Sequence, residues 1–181
     1  MNKRDNILNA AMHLFVDHGE QATSMKWIAR KAECGIGTMY NYFPSKEKLI
    51  NELYLEIKVM YSSYILEVLD PEKSIKHQII DTWRRALEFV LHHPVESKYI
   101  ELFCQSPIIS EQLRRETMEL FSPLIEIYET GKKEGIIKNQ DTLQLLSFVK
   151  GAITASVMSQ PEMNPEDIDA VVLMAWDAIR N

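Results

Sequence analysis

The sequence predicts an all-α chain, with three helices at the N-terminus followed by a larger helical body. Three observations carry that expectation. Apolar residues return at three- and four-residue steps, the signature of amphipathic helices, while alternating strand patterns are nearly absent. Glycines and prolines stand where such helices would end or begin. With 181 residues, 46% hydrophobic and 25% charged, the chain can bury a core without disulfide staples and falls outside the collagen-like, low-complexity and disordered classes.

Ile7, Leu8, Ala11, Leu14 and Phe15 form one face of a first helix, about Asp5 to His18, with Asp5 as N-cap and Gly19 as its left-handed stop. Thr23 or Ser24 caps a short second helix whose inward residues are Ile28, Ala29 and Ala32, and Glu33-Cys34-Gly35 breaks it. A third short helix covers Ile36 to Tyr42. Pro44 blocks further helix, and Ser45 caps a long fourth helix carrying Leu49, Leu53, Ile57 and Met60 on one face until Asp70-Pro71. Later helices are expected over Lys73 to His92, Val95 to Gln105, Ser110 to Thr130 with a kink or break at Pro123, Thr142 to Met158, and Glu166 to Arg180. Gly131 to Gly135 reads as a loop with two stop signals.

The net charge of −6 argues at first against nucleic acid, since phosphate binding rests on Lys and Arg. Divided at residue 50, the inference changes. Residues 1–50 hold 7 Lys and Arg against 5 Asp and Glu, a net +2, and the remainder holds 13 against 21, a net −8. Basicity is confined to the front. Cys34 and Cys104 stand far apart with no Cys-x-x-Cys pair, so both are expected as reduced thiols. His92, His93 and Glu96 precede or open a helix and are expected at the surface, with no metal site and no cofactor. The start Met1 to Asp5 runs into an amphipathic segment and not an apolar leader, and no apolar run approaches the ~18 residues of a membrane span. A cytoplasmic protein with no membrane partner is expected.

Helix, short helix, tight turn and a polar, aromatic short helix form the order of a helix-turn-helix preceded by a packing helix. The run Gly35-Ile36-Gly37-Thr38-Met39-Tyr40-Asn41-Tyr42-Phe43-Pro44-Ser45-Lys46-Glu47-Lys48-Leu49 sharpens this. Together with Ile7-Leu8, Ala10-Ala11, Leu14-Phe15, Gly19, Thr23-Ser24-Met25 and Ile28-Ala29, it resembles the TetR family of bacterial transcriptional regulators over about the first 50 residues. The family pattern has Gly at the second residue of the turn and a Ser or Thr cap followed by a polar residue. Glu33, Gly35 and Ile36 stand there instead, so Glu33 is expected to strain the turn.

The residue chemistry suits duplex binding on its own terms. Thr38, Tyr40 and Tyr42 offer hydroxyls to phosphate oxygens, and Gly37 lets the backbone approach a phosphate closely. Asn41 has the amide that pairs with adenine in the major groove, and Ile36 suits a thymine methyl. The resemblance implies that Lys26 faces the groove and Lys46 pairs with a phosphate. Phe43 is expected in the core, Met39 either in the core or at the DNA, and Tyr40 with its ring packed and hydroxyl free.

The resemblance divides the chain into a DNA-binding domain at 1–48 and an effector-binding and dimerisation domain at 49–181. It implies a regulator, taken as a repressor, that binds a palindromic double-stranded operator as a homodimer through the last two helices. Gly151, Ala152, Ala155 and Ser156, with the stripe Ile168, Val172, Ala175 and Ile179, suit such pairing or the chain's own core. Tyr54, Lys58 and Trp83 are the candidate lining of a pocket for a small-molecule effector. Leu49 to Leu55 with His93-Pro94 looks like multidrug-responsive members, which implies a lipophilic or aromatic ligand. No enzyme signature is present: neither His-Glu-x-x-His, nor Gly-x-Ser-x-Gly, nor a phosphate-binding glycine loop. A helical carrier or adaptor that binds no DNA is the competing reading.

Overall fold

The computed structural model describes residues 2–181, and among these residues it forms ten helices and a single isolated β-bridge between Ile137 and Arg180. The helices are α1 (Lys3–Ala22), α2 (Met25–Lys31), α3 (Ile36–Tyr42), α4 (Lys46–Leu66), α5 (Ile75–His92), α6 (Pro94–Phe103), α7 (Glu111–Glu119), α8 (Ser122–Lys133), α9 (Thr142–Ser159) and α10 (Pro165–Ile179). The all-α expectation holds. No helix among the described residues is long and apolar enough to cross a membrane.

Capping chemistry moves several expected boundaries. α1 begins before Asp5 because Asn2 is the N-cap: its side chain accepts from the Asp5 N–H at 2.9 Å, and the Asp5 carboxylate accepts the Asn2 N–H in return. Gly19 has the expected left-handed φ of +81°, yet it makes a kink, and helix resumes to Ala22. Ser24 caps α2 by accepting from the Trp27 N–H at 3.2 Å. Thr23 is buried instead, its hydroxyl donating to the Leu14 and Gly19 carbonyls at 3.1 and 2.8 Å across the kink. α4 stops at Leu66, short of the expected Asp70. Pro123 does break the helix: it sits in the first turn of α8, where its missing N–H is harmless.

The expected loop at Gly131 is overturned. α8 continues through Gly131 to Lys133, and a Cβ at Gly131 would lie 3.1 Å from Ile75 Cγ2 and 3.4 Å from Ile137 Cγ1. The true stop is Gly135, at φ +69°, where the Ile136 N–H donates to the Gly131 carbonyl at 2.9 Å and the Gly135 N–H to that of Lys132 at 3.1 Å. This is the paired closure of a Schellman motif.

The chain forms two compact units that do not follow chain order. The first contains residues up to Val59 together with Pro94–Thr117. Its fully buried residues include Ile7, Phe15, Ile28, Met39, Phe43 and Leu49. Phe103 meets Phe15 edge-on at 5.8 Å and stacks on Tyr99 at 4.5 Å, and the Tyr99 hydroxyl donates to the Ile50 carbonyl at 3.1 Å. The second unit contains Met60–His93 and Met118–Asn181. Ile79, Leu87, Tyr128, Ile153 and Trp176 are buried in its core, where the Trp83 indole N–H donates to the Tyr128 hydroxyl at 2.8 Å. Ile168, Val172, Ala175 and Ile179 belong to this core, so that α10 stripe faces its own chain. The Lys138 N–H donates to the Ile179 carbonyl at 2.8 Å, and the Asn181 N–H to that of Ile136 at 3.1 Å, tying the end of α10 to the α8–α9 connection.

Gly131→Ala is expected to lower stability by about 1–3 kcal/mol through overpacking against Ile75, read by thermal or denaturant unfolding. A loss below about 0.5 kcal/mol would mean that the close approach at Gly131 is not required.

Candidate nucleic-acid interface

α3 has seven residues, and Met39 alone among them is buried. Ile36, Gly37, Thr38, Tyr40, Asn41 and Tyr42 all face solvent, with the Tyr40 side of the helix open enough that the residue is 49% exposed. A helix packed for stability alone would bury a stripe. Here one methionine anchors the helix and every other side chain is left available. Tyr40 therefore differs from the expected packed ring, while Met39 and Phe43 both settle in the core at 0% exposure. No side chain caps the start of α3, and no atom lies within 4 Å of a Cβ built on Gly37. The backbone there is open to approach.

The turn before α3 is held by the same hydrogen-bond pair that ends α8. The Cys34 N–H donates to the Ala29 carbonyl at 2.9 Å, and the Glu33 N–H to that of Arg30 at 3.2 Å. The left-handed position is filled by Glu33, at φ 51°, where glycine carries no Cβ penalty. Lys3 Nζ supports the turn by donating to the Glu33 carbonyl at 3.2 Å.

The basic residues fall into two groups. Arg4 binds Glu52 and Glu56 on α4 at 2.9 and 2.5 Å while its guanidinium lies 5.6 Å from the Phe43 ring centre. Hydrogen bonds to Glu52 and then Glu56 raise its pKa. Lys46 Nζ pairs with the Glu20 carboxylate at 2.6 Å and donates to the Glu20 and Thr23 carbonyls at 2.9 and 3.3 Å. Lys26, Arg30 and Lys31 on α2 are exposed and, among the described residues, make no ion pair. The sequence reading singled out Lys26 only. Arg30 stands four residues on, on the same helical face, and that spacing was the available signal.

The candidate pocket residues divide between the units. Tyr54, in the first, is buried, and burial is the main cause raising its phenol pKa. Lys58 is half-buried on the same helix. Trp83 lies in the core of the second unit, its ring centre 6.4 Å from that of Trp176. His93, expected at the surface, is half-buried, with its ring 4.7 Å from Phe89 and 5.8 Å from Tyr64. A groove of about 480 Å³ in the first unit is lined by Glu47, Lys48, Asn51 and Glu116 together with Leu55 and Leu113, and by none of the three candidate pocket residues.

Residues 7–53 match the family described as bacterial regulatory proteins, tetR family. The chain carries a TetR-family helix-turn-helix. It is a DNA-binding transcriptional regulator. Among relatives of the whole chain, it is 26% identical over 151 residues to the uncharacterized HTH-type transcriptional regulator YhgD of Bacillus subtilis, covering 82% of this chain and 78% of that one. It is 28% identical over 143 residues to the HTH-type transcriptional repressor NicS of Pseudomonas putida, covering 75% and 66% of the two chains. The crystal structure of a TetR family regulator from Shewanella sp. PV-4 shares the fold over 100% of both chains, with a TM-score of 0.89 at 24% identity.

Replacing the left-handed residue, Glu33→Gly, is expected to raise stability by about 1 kcal/mol, seen as a higher melting temperature. An unchanged or lower melting temperature would show that the turn carries no strain.

Proposed function

We propose that this TetR-family regulator is a repressor that binds a palindromic operator as a homodimer and releases it on binding a small lipophilic or aromatic effector. The observation that carries the DNA reading is the α3 surface, in which only Met39 is withdrawn from solvent. Asn41 reads a base edge, Ile36 meets a thymine methyl, and Thr38, Tyr40, Tyr42 and the Gly37 backbone fix the phosphates. Lys26, with Arg30 and Lys31, supplies the counterion-releasing contacts from α2.

The dimer rests on the outer faces of α9 and α10. Phe148, Met158, Leu173 and Met174 are 55%, 76%, 52% and 64% exposed, and nothing lies within 4 Å of a Cβ built on Gly151. Exposed apolar surface of that kind, with a small residue beside it, suits a four-helix bundle made with a second copy. A twofold pair presents two α3 helices to half-sites about one DNA turn, or a small multiple, apart.

Release requires the effector to bind the non-operator state more tightly, and linkage requires the operator to weaken effector binding by the same factor. The aromatic interior of the second unit, with Trp83, Tyr128 and Trp176, supports a lipophilic or aromatic ligand. Repression follows if operator occupancy blocks transcription.

Selection from random duplex DNA is expected to enrich a palindrome. Asn41→Ala should then lose about 1–3 kcal/mol of discrimination at one base pair in each half-site. A carrier or adaptor would enrich no sequence at all. Separately, Leu173→Glu with Met174→Glu should convert a dimer to a monomer in sedimentation equilibrium, and a double variant that still sediments as a dimer would place the interface elsewhere.

A further inference from the structure

α2 packs inward through Met25, Ile28 and Ala29, all buried. Successive helical residues turn by about 100°, which places Trp27 and Arg30 on the opposite side with Lys26 and Lys31 flanking them. The three cations are exposed and Trp27 is half-buried. An indole on the outward side of a seven-residue helix takes no part in the core of its unit. His18, itself exposed near the end of α1, covers part of it, the two ring centres lying 4.7 Å apart at an interplanar angle of 33°. That contact fixes the indole in advance, so less side-chain freedom is lost when a partner binds.

The indole N–H is unused. It is a donor only, and among the described residues the hydrogen bonds of Trp27 are those of its backbone N–H to Ser24. The Trp83 indole differs, since its N–H is taken by the Tyr128 hydroxyl at 2.8 Å. A fixed neutral donor set among Lys26, Arg30 and Lys31 suits an acceptor that is negatively charged. A protein partner would have to bring carboxylates in matching places, whereas a duplex brings phosphate oxygens at regular spacing. We propose that Trp27 is a further DNA-contact residue, donating its indole N–H to one backbone phosphate in each half-site while the α2 cations engage the neighbouring phosphates. The inference rests on the duplex-binding reading of α2 and α3 and adds to it a contact without charge. A neutral donor releases no counterion, so its removal lowers affinity and leaves the salt dependence alone.

The test uses the full chain and the duplex enriched by random-sequence selection, titrated at several salt concentrations. Trp27→Phe keeps an aromatic ring against His18 and removes the N–H. It should bind about tenfold more weakly, with the slope of log affinity against log salt at the wild-type value. Arg30→Gln, beside it, should lower that slope by about 1. Replacing phosphates one at a time by a neutral methylphosphonate then locates the acceptor: at one position in each half-site the replacement should weaken the wild type yet change Trp27→Phe by less than about twofold. Should Trp27→Phe fail to fold, wild-type fluorescence decides. Trp83 and Trp176 are buried in the second unit, so Trp27 is the tryptophan open to acrylamide, and the duplex should shield it from quenching. Affinity of Trp27→Phe within about twofold of wild type, no phosphate coupled to Trp27, or quenching unchanged by the duplex would overturn the proposal. Failure of the wild type to bind any selected duplex would overturn the operator reading itself, and the proposal with it.

Discussion

A seven-residue helix that buries one side chain cannot hold its own shape, because isolated helices of fewer than about 12 residues are marginal in water. The rest of the first unit answers that constraint. Met39 supplies the one core contact of α3, and the Phe43 N–H closes the helix by donating to the Met39 carbonyl at 2.9 Å. Phe43 is itself fully buried beneath the Arg4 guanidinium, which is fixed by two α4 carboxylates. At the other end, the Glu33 turn sets where α3 begins. α3 is thus held at its ends and left open on its faces.

Charge follows the same division of labour. The net +2 of residues 1–50 is small, and Arg4 and Lys46 are already engaged within the unit. Lys48 pairs with Glu52 and Lys3 donates to the Glu33 carbonyl, which leaves Lys26, Arg30 and Lys31 on one short helix with no ion pair among the described residues, a placement that gives more directional attraction than their number suggests. The acidic remainder, at −8, disfavours docking by other faces. Overall acidity and duplex binding are compatible once the charges are located.

The helical class, the order of the first four helices and the exposed side chains of α3 were legible because periodicity and stop signals report local geometry directly. What periodicity does not report is which surface covers an apolar stripe. Ile168, Val172, Ala175 and Ile179 were expected against a partner, with the chain's own core as the alternative, and the core holds them, leaving Leu173 and Met174 outside. Glycine was ambiguous for a related reason. Gly131 is required by the nearness of Ile75, and Gly135 by a positive φ, yet both read as stops. Thr23 and Ser24 were interchangeable as caps until the kink at Gly19 gave the Thr23 hydroxyl two carbonyls to bind. Lys46 needed three dimensions, since its acceptors lie more than twenty positions away along the chain.

The contact from Lys3 to the Glu33 carbonyl joins the first turn of α1 to the turn that launches α3. It bypasses the hydrophobic core entirely, so events at the first turn of α1 have a direct polar route to the start of α3. A fusion partner, an added residue or a modification that draws Lys3 away would loosen the turn at Glu33, where the backbone is least able to tolerate it. Preparations of the protein that differ only in their leading residues are therefore not equivalent reagents for measuring how it recognises DNA.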